Sequence, residues 1–303
     1  VKEATKNNSY VLPPFLTPER ESLLDELREH WLPSHLTRIH LSSGGSEANE
    51  SAVKLAIQYQ ASRGKPEKNI ILTRTLSYHG TTLNMSGISG HAARKRGLES
   101  YVPKAPMIET PYPLRCPLGS FHPDAKDYYL DNLKEVIKKI GSENIAGLLM
   151  EPINGSSGGA ISPPEGYWEE AQNILIDNDI LLIADEVMTG FGRVGEDFAS
   201  NLYNLKPDIL VAGKGMGGGY AAIGGTYSTD KIADSIMAAG YEVMFHTFAA
   251  LPQSCAASSA VLKILREENL CDRVNPLGEK IMDNLNSEVG QHPNVAEIRG
   301  KGL

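Results

Sequence analysis

Four near-continuous apolar runs set the frame of this chain: "NIILTRT" (69–75), "IAGLLMEP" (145–152), "ILLIADEV" (180–187) and "DILVAG" (208–213). Runs this short and this uniformly apolar predict strands buried on both faces, the pattern of a parallel sheet covered by helices. Between them the period changes to that of helices. "TPERESLLDELREHWLP" offers Thr17 as N-cap, Pro18 in the first turn, and Leu23, Leu24, Leu27 and Trp31 on one face. "IHLSSGGSEANESAVKLAIQYQA" reads as a short apolar strand, a glycine turn and a helix through Ala52, Val53, Ala56 and Tyr59. Residues 165–179 are helical, and so is the chain from "LPQSCAASSAVLKILREENL" onward. "GGYAAIGGTYST" (218–229), rich in glycine and β-branched residues, predicts a further strand. The alternation gives an α/β fold in three layers, α/β/α, around a mostly parallel sheet.

Composition narrows the class. A hydrophobic share of 41% and a charged share of 22% over 303 residues fit a globular chain with a full core. With 29 basic against 37 acidic residues, the net charge of −8 offers no global attraction to nucleic acid or anionic membranes, so an anionic ligand needs a local site. Cys116, Cys255 and Cys271 are far apart and form no CxxC pair, which indicates neither a disulfide framework nor a thiolate metal site. A reducing, cytoplasmic setting is expected. No apolar run reaches membrane-spanning length, and "VKEATKNNSY" has no signal-peptide character.

Lys214 raises the first chemical question. A P-loop fails because Gly215, not Ser or Thr, follows the lysine and Asp208 stands where the upstream glycine belongs. Gly213, Gly215 and Gly218 satisfy G-x-G-x-x-G, but that fingerprint must open a helix, and here a strand follows. What is left is a lysine just past the carboxyl end of a buried strand, where open α/β sheets bind their ligands, or a lysine on a plain flexible turn.

Other strand ends carry chemistry too. Asp185 and Glu186 close the most apolar strand; adjacent strand residues face opposite ways, so only one of the pair enters a given site. Gly44 and Gly45 permit close backbone approach, and Ser46 opens a helix whose free N–H groups attract an anion. Tyr78 and His79 follow another strand, where an aromatic ring can stack on a planar ligand. Thr247 precedes the helix that starts near "LPQSC" and can offer a hydroxyl to an anion. A ligand that asks at once for phosphate donors, an aromatic platform, a carboxylate and a lysine amine is pyridoxal 5′-phosphate (PLP).

From about residue 10 to its end the chain resembles the class III (omega) PLP-dependent aminotransferases of fold type I. "GGSEANESAVKLA", "SYHGTT", "EPINGSSGG", "IADEVMTGFGRVG", "PDILVAGKGMGGGY" and "HTFAALPQSCAA" occur in that family's order, with Asp185 and Lys214 separated by 29 residues. The resemblance implies that Lys214 carries the cofactor as a Schiff base and that Asp185 pairs with its pyridine nitrogen. Tyr78 and Val187 would sandwich the ring, with His79 beside it. Gly45 and Ser46 would hold the phosphate, and Thr247 would reach the phosphate in a neighbouring subunit. The implied activity is a ping-pong exchange of an amino group between an amine or amino acid and a keto acid or aldehyde, in a homodimer with active sites at the interface.

The match is not complete. Met188 stands where many members have a hydrogen-bonding Gln, and Ser156 stands where members acting on ornithine or 4-aminobutyrate carry a Glu. Arg115, Arg193 and His246 are candidates for local substrate contacts, with structural roles as the alternative. Residues 1–15 are expected to be the remnant of an N-terminal segment, 16–275 the large PLP-binding domain, and 276–303 the start of a small domain that is otherwise missing. Other PLP chemistry on the same fold (mutase, racemase or decarboxylase) stays open, as does an inactive fragment or a non-catalytic binding protein; a Rossmann oxidoreductase is the remotest reading.

Overall fold

The computed structural model describes residues 1–303. Seven strands, β1 (Arg38–Ser42), β2 (Ile70–Arg74), β3 (Met107–Ile108), β4 (Ile145–Met150), β5 (Leu181–Asp185), β6 (Ile209–Ala212) and β7 (Gly224–Ser228), form one sheet in the order β1-β7-β6-β5-β4-β2-β3. The ten α-helices are α1 (Lys2–Asn7), α2 (Pro18–Glu26), α3 (Gly45–Ser62), α4 (Leu83–Ile88), α5 (Ala125–Ile140), α6 (Tyr167–Asp177), α7 (Ala199–Leu202), α8 (Asp230–Ala238), α9 (Pro252–Glu267) and α10 (Val274–Val289).

The four apolar runs are β2, β4, β5 and β6, each parallel to its neighbour. Every residue of β4, β5 and β6 is buried, and their side chains part in alternation to two sides. Leu148, Met150 and Leu182 join α5 and α6 on one side. Leu149, Leu181 and Ile183 join α3, α4 and α8 on the other. Further along the first side, Leu210 and Ala212 meet Leu23 of α2, Leu27 just after it and Leu262 of α9. A period of two with both faces apolar thus yields three layers.

The strand expected at 218–229 forms as β7, antiparallel to both β6 and β1. Two reversals restore direction, so β1 runs the same way as β6. The loops that follow β1, β2, β4, β5 and β6 therefore leave the sheet at one edge.

Boundaries differ from the sequence reading where local geometry intervenes. Thr17 Oγ1 accepts from Arg20 N and caps α2, but the helix keeps α geometry only to Glu26 and widens into a π turn over Leu27–Trp31. The predicted helix at 165–179 is trimmed to Tyr167–Asp177 by Gly166, which sits at φ 74°, and by Asn178 at its end. Strand β3 was not foreseen, since two residues carry no periodicity.

Candidate active site

Seven of the eight residues singled out in the sequence, Lys214, Asp185, Gly45, Ser46, Tyr78, His79 and Val187, line one cavity of about 140 Å³ at this edge of the sheet. Thr247 does not; it is exposed in the segment before α9. Arg115 and His246 also stay outside the cavity. His246 turns instead toward Ser51 and Glu47 on α3, and Arg193 donates to the Leu303 carbonyl.

The strand ends position these groups. Asp185 is the last residue of β5 and is 3% exposed. Its Oδ2 accepts from His79 Nδ1 at 2.8 Å and from Asn49 Nδ2 at 2.8 Å, and its Oδ1 accepts from the Val187 backbone N–H at 3.0 Å. A carboxylate can only accept, so the His79 ring nitrogen facing it is the donor. Glu186 turns the opposite way, as strand geometry requires. It is fully buried and held by Thr189 Oγ1, Ser200 Oγ and the backbone N–H groups of Ala199 and Ser200. Of the two carboxylates, Asp185 is the one in the cavity.

Lys214 follows β6 at φ 37°, between Gly213 and Gly215. A side-chain-bearing residue in the left-handed region costs conformational energy, and such strain collects at functional sites. Loss of hydration lowers the Lys214 amine below the ordinary lysine value; Asp185 and Glu151 pull it back up, and Arg94 reinforces the lowering. Glu151, just past β4, lines the same cavity. Burial raises its carboxyl, opposed by His79 and Arg74.

Opposite the lysine lies the first turn of α3. A Cβ on Gly45 would stand 2.9 Å from Val187 Cγ1, and one on Gly80, which holds φ 146°, would stand 2.9 Å from Ser46 Cα. Glycine is required at Gly80 for both conformation and space. Ser46 Oγ accepts from the Thr81 N–H, which pins the "YHGTT" loop to the start of α3. Tyr78 is half-buried, with the Arg94 guanidinium 4.3 Å from its ring centroid.

Sequence reasoning missed Asn49 and Glu151. Asn49 is 1% exposed in the second turn of α3, and nothing in the sequence marks that burial. Glu151 follows an entirely apolar strand, the same position type as Asp185.

These residues fit PLP. Glycines leave room at a helix N-terminus suited to a phosphate, an amine and a buried carboxylate face one cavity, and an aromatic ring flanks it. The buried Asn49 Oδ1 has no partner within the protein, as expected of a wall completed by something else. A second, larger cavity of about 520 Å³ shares Met188 and Lys214 but is otherwise lined mainly by apolar residues such as Phe191, Leu270 and Leu277. Arg193 and Arg273 also line the larger cavity, but only in the smaller one does Lys214 meet the carboxyl groups of Asp185 and Glu151.

The chain's relatives agree with this reading. The family model described as aminotransferase class-III matches residues 1–303. The uncharacterized aminotransferase YodT of Bacillus subtilis (strain 168) is 36% identical over 307 residues, which cover all of this chain and 68% of that protein. Gamma-aminobutyrate transaminase 1, mitochondrial, of Oryza sativa subsp. indica is 35% identical, with 93% of this chain and 55% of that protein covered. Among solved structures, an (S)-enantioselective omega-transaminase from Thermomicrobium roseum shares the fold at TM-score 0.94 and 33% identity, covering all of this chain and 67% of its own. An amine transaminase from an uncultivated Pseudomonas species, solved with PLP bound, gives TM-score 0.94 at 31% identity, covering all of this chain and 69% of its own. The chain thus spans between 55% and 69% of the length of these four proteins. Matched from its first residue to its last by the family's model, it belongs to the class III aminotransferases.

Proposed function

We propose that the protein exchanges an amino group between an amine or amino acid and a keto acid or aldehyde, in two half-reactions, with PLP as cofactor. The observation that carries this reading is the meeting of Lys214 and Asp185 on one cavity beside the Gly45–Ser46 turn. When bound, PLP supplies an aldehyde that takes up amines and a ring that accepts electrons from the substrate Cα.

The chain's own residues do the rest. Lys214 Nζ would hold the cofactor covalently and, as a free amine, would be the group that accepts the proton from the substrate Cα. Its lowered basicity suits that task, because a base must be unprotonated to accept. Asp185, fixed by three donors, keeps a proton on the ring nitrogen. Gly45 and Ser46 hold the phosphate, Tyr78 and Val187 flank the ring, and His79 orients Asp185. Glu151 adds a second carboxyl to the wall near Lys214.

Thr247 fits the same scheme as a phosphate contact supplied to a second copy of the chain, which supports a homodimer with shared sites; its exposure and its distance from the chain's own cavity are compatible with that role. Residues 16–275 form the cofactor-binding domain in this reading, and 276–303 lead into a small domain. No helix is long and apolar enough to cross a membrane. We place the protein in the cytoplasm, where its three cysteines stay free thiols.

The test is spectroscopic. The PLP-loaded protein should lose its yellow band on mixing with 1-phenylethylamine or alanine and regain it with pyruvate, each half-reaction without the other substrate. A band indifferent to both amines across a panel of amino donors overturns the aminotransfer reading. Loss of carbon dioxide or racemised substrate, with no return on adding a keto acid, favours the other PLP chemistries.

A further inference from the structure

Asn49 lies one helical turn after Ser46 on α3, inside the core, where asparagine is a poor helix former and a buried amide is costly unless used. Its Nδ2 donates both hydrogens, one to Asp185 Oδ2 at 2.8 Å and one to the His79 carbonyl at 2.9 Å. A carboxylate offers about four acceptor positions. On Asp185, His79 and Asn49 take the two on Oδ2, and the Val187 N–H takes one on Oδ1. One acceptor position is left, on Oδ1, in a side chain that cannot turn without breaking all three bonds.

We infer that Asn49 is a positioning residue: it fixes the Asp185 carboxylate so that a single oxygen remains to accept from a ring N–H, and it ties that carboxylate to the first turn of α3, which carries Gly45 and Ser46. The anion cradle and the acceptor for the ring nitrogen then move as one unit, and a cofactor bound at both ends meets them at a set separation. This rests on the PLP reading above.

Binding of PLP to the whole protein, titrated through its visible band in the wild type, Asn49→Ala and the isosteric Asn49→Asp, tests it. Losing one charge-assisted donor weakens binding by about tenfold in Asn49→Ala, by a similar factor at every pH. Asn49→Asp places a second carboxylate beside Asp185. Two such groups share a proton readily and ionise together poorly, so binding is weaker than in Asn49→Ala at about pH 8.5 and recovers toward it at about pH 5.5, each read against the wild type at the same pH.

Thermal melting of the cofactor-free variants separates a folding defect from a positioning one. Affinities equal to wild type, or losses in both variants that follow the drop in melting temperature and ignore pH, overturn the inference and leave the aminotransferase reading standing. Wild type that binds PLP no better than Lys214→Ala overturns both.

Discussion

Lys214 and Asp185 were legible at the level of single residues because each ends an apolar run, and a charge placed there is conspicuous. Which of Asp185 and Glu186 enters the site was not, since alternation says only that the two differ; the choice became visible in the four hydrogen bonds that occupy Glu186. Asn49 was hidden for a different reason. In a helix with mixed composition a polar residue reads as solvent-facing until its burial is known. Two substitutions follow at this scale. Lys214→Ala should lower single-turnover amine consumption by on the order of 10³-fold or more, because covalent hold and proton transfer are lost together. Asp185→Asn should retain PLP, yet slow the same step by about 10²-fold or more, since an uncharged partner no longer keeps the ring nitrogen protonated.

Elements explain how the residues meet. The start of α3 is set by Gly44 and Gly45, and the loop after β2 closes over it through the Thr81-to-Ser46 hydrogen bond. Gly80 is the tight point of that closure. Gly80→Ala should destabilise the fold by roughly 1–3 kcal/mol and weaken PLP binding more than its melting temperature alone accounts for, because the added methyl displaces Ser46. Denaturant unfolding and a PLP titration on the same variant measure the two effects. Thr17→Ala removes the cap of α2, which does not line the cavity, and should cost about 1 kcal/mol with little change there. Most long elements were read from the sequence because periodicity needs length to show, although α5, of 16 residues, was not singled out. The two residues of β3 and the π turn after α2 lacked it, and their form depends on tertiary neighbours.

For the whole molecule, the direction of the sheet matters most. The four near-continuous apolar runs announced parallel neighbours with helices on both faces. The double reversal through β7, which brings the loop after β1 to the same edge as the others, depends on pairing that no single segment encodes. Stability should also carry a pH signature away from the site. Burial, with Glu196 adding to it, raises the Asp197 carboxyl from 3.8 to about 6. The folded state therefore binds this proton more tightly than the unfolded chain. The contribution is fully present below about pH 4 and is lost as pH rises through about 6. Asp197→Asn should gain on the order of 1 kcal/mol over the wild type at about pH 8, the half-buried site being partly screened by solvent, and differ little at about pH 4, as followed by denaturant unfolding at the two pH values.

The central claim is that this chain holds PLP through one particular amine. Borohydride reduction of the PLP-treated protein, followed by peptide mass mapping, tests it directly. The account predicts a single stable adduct on the peptide that carries Lys214, absent from Lys214→Ala. A reduced adduct on other lysines with Lys214 unmodified, or none under conditions where the folded protein is intact, would contradict it.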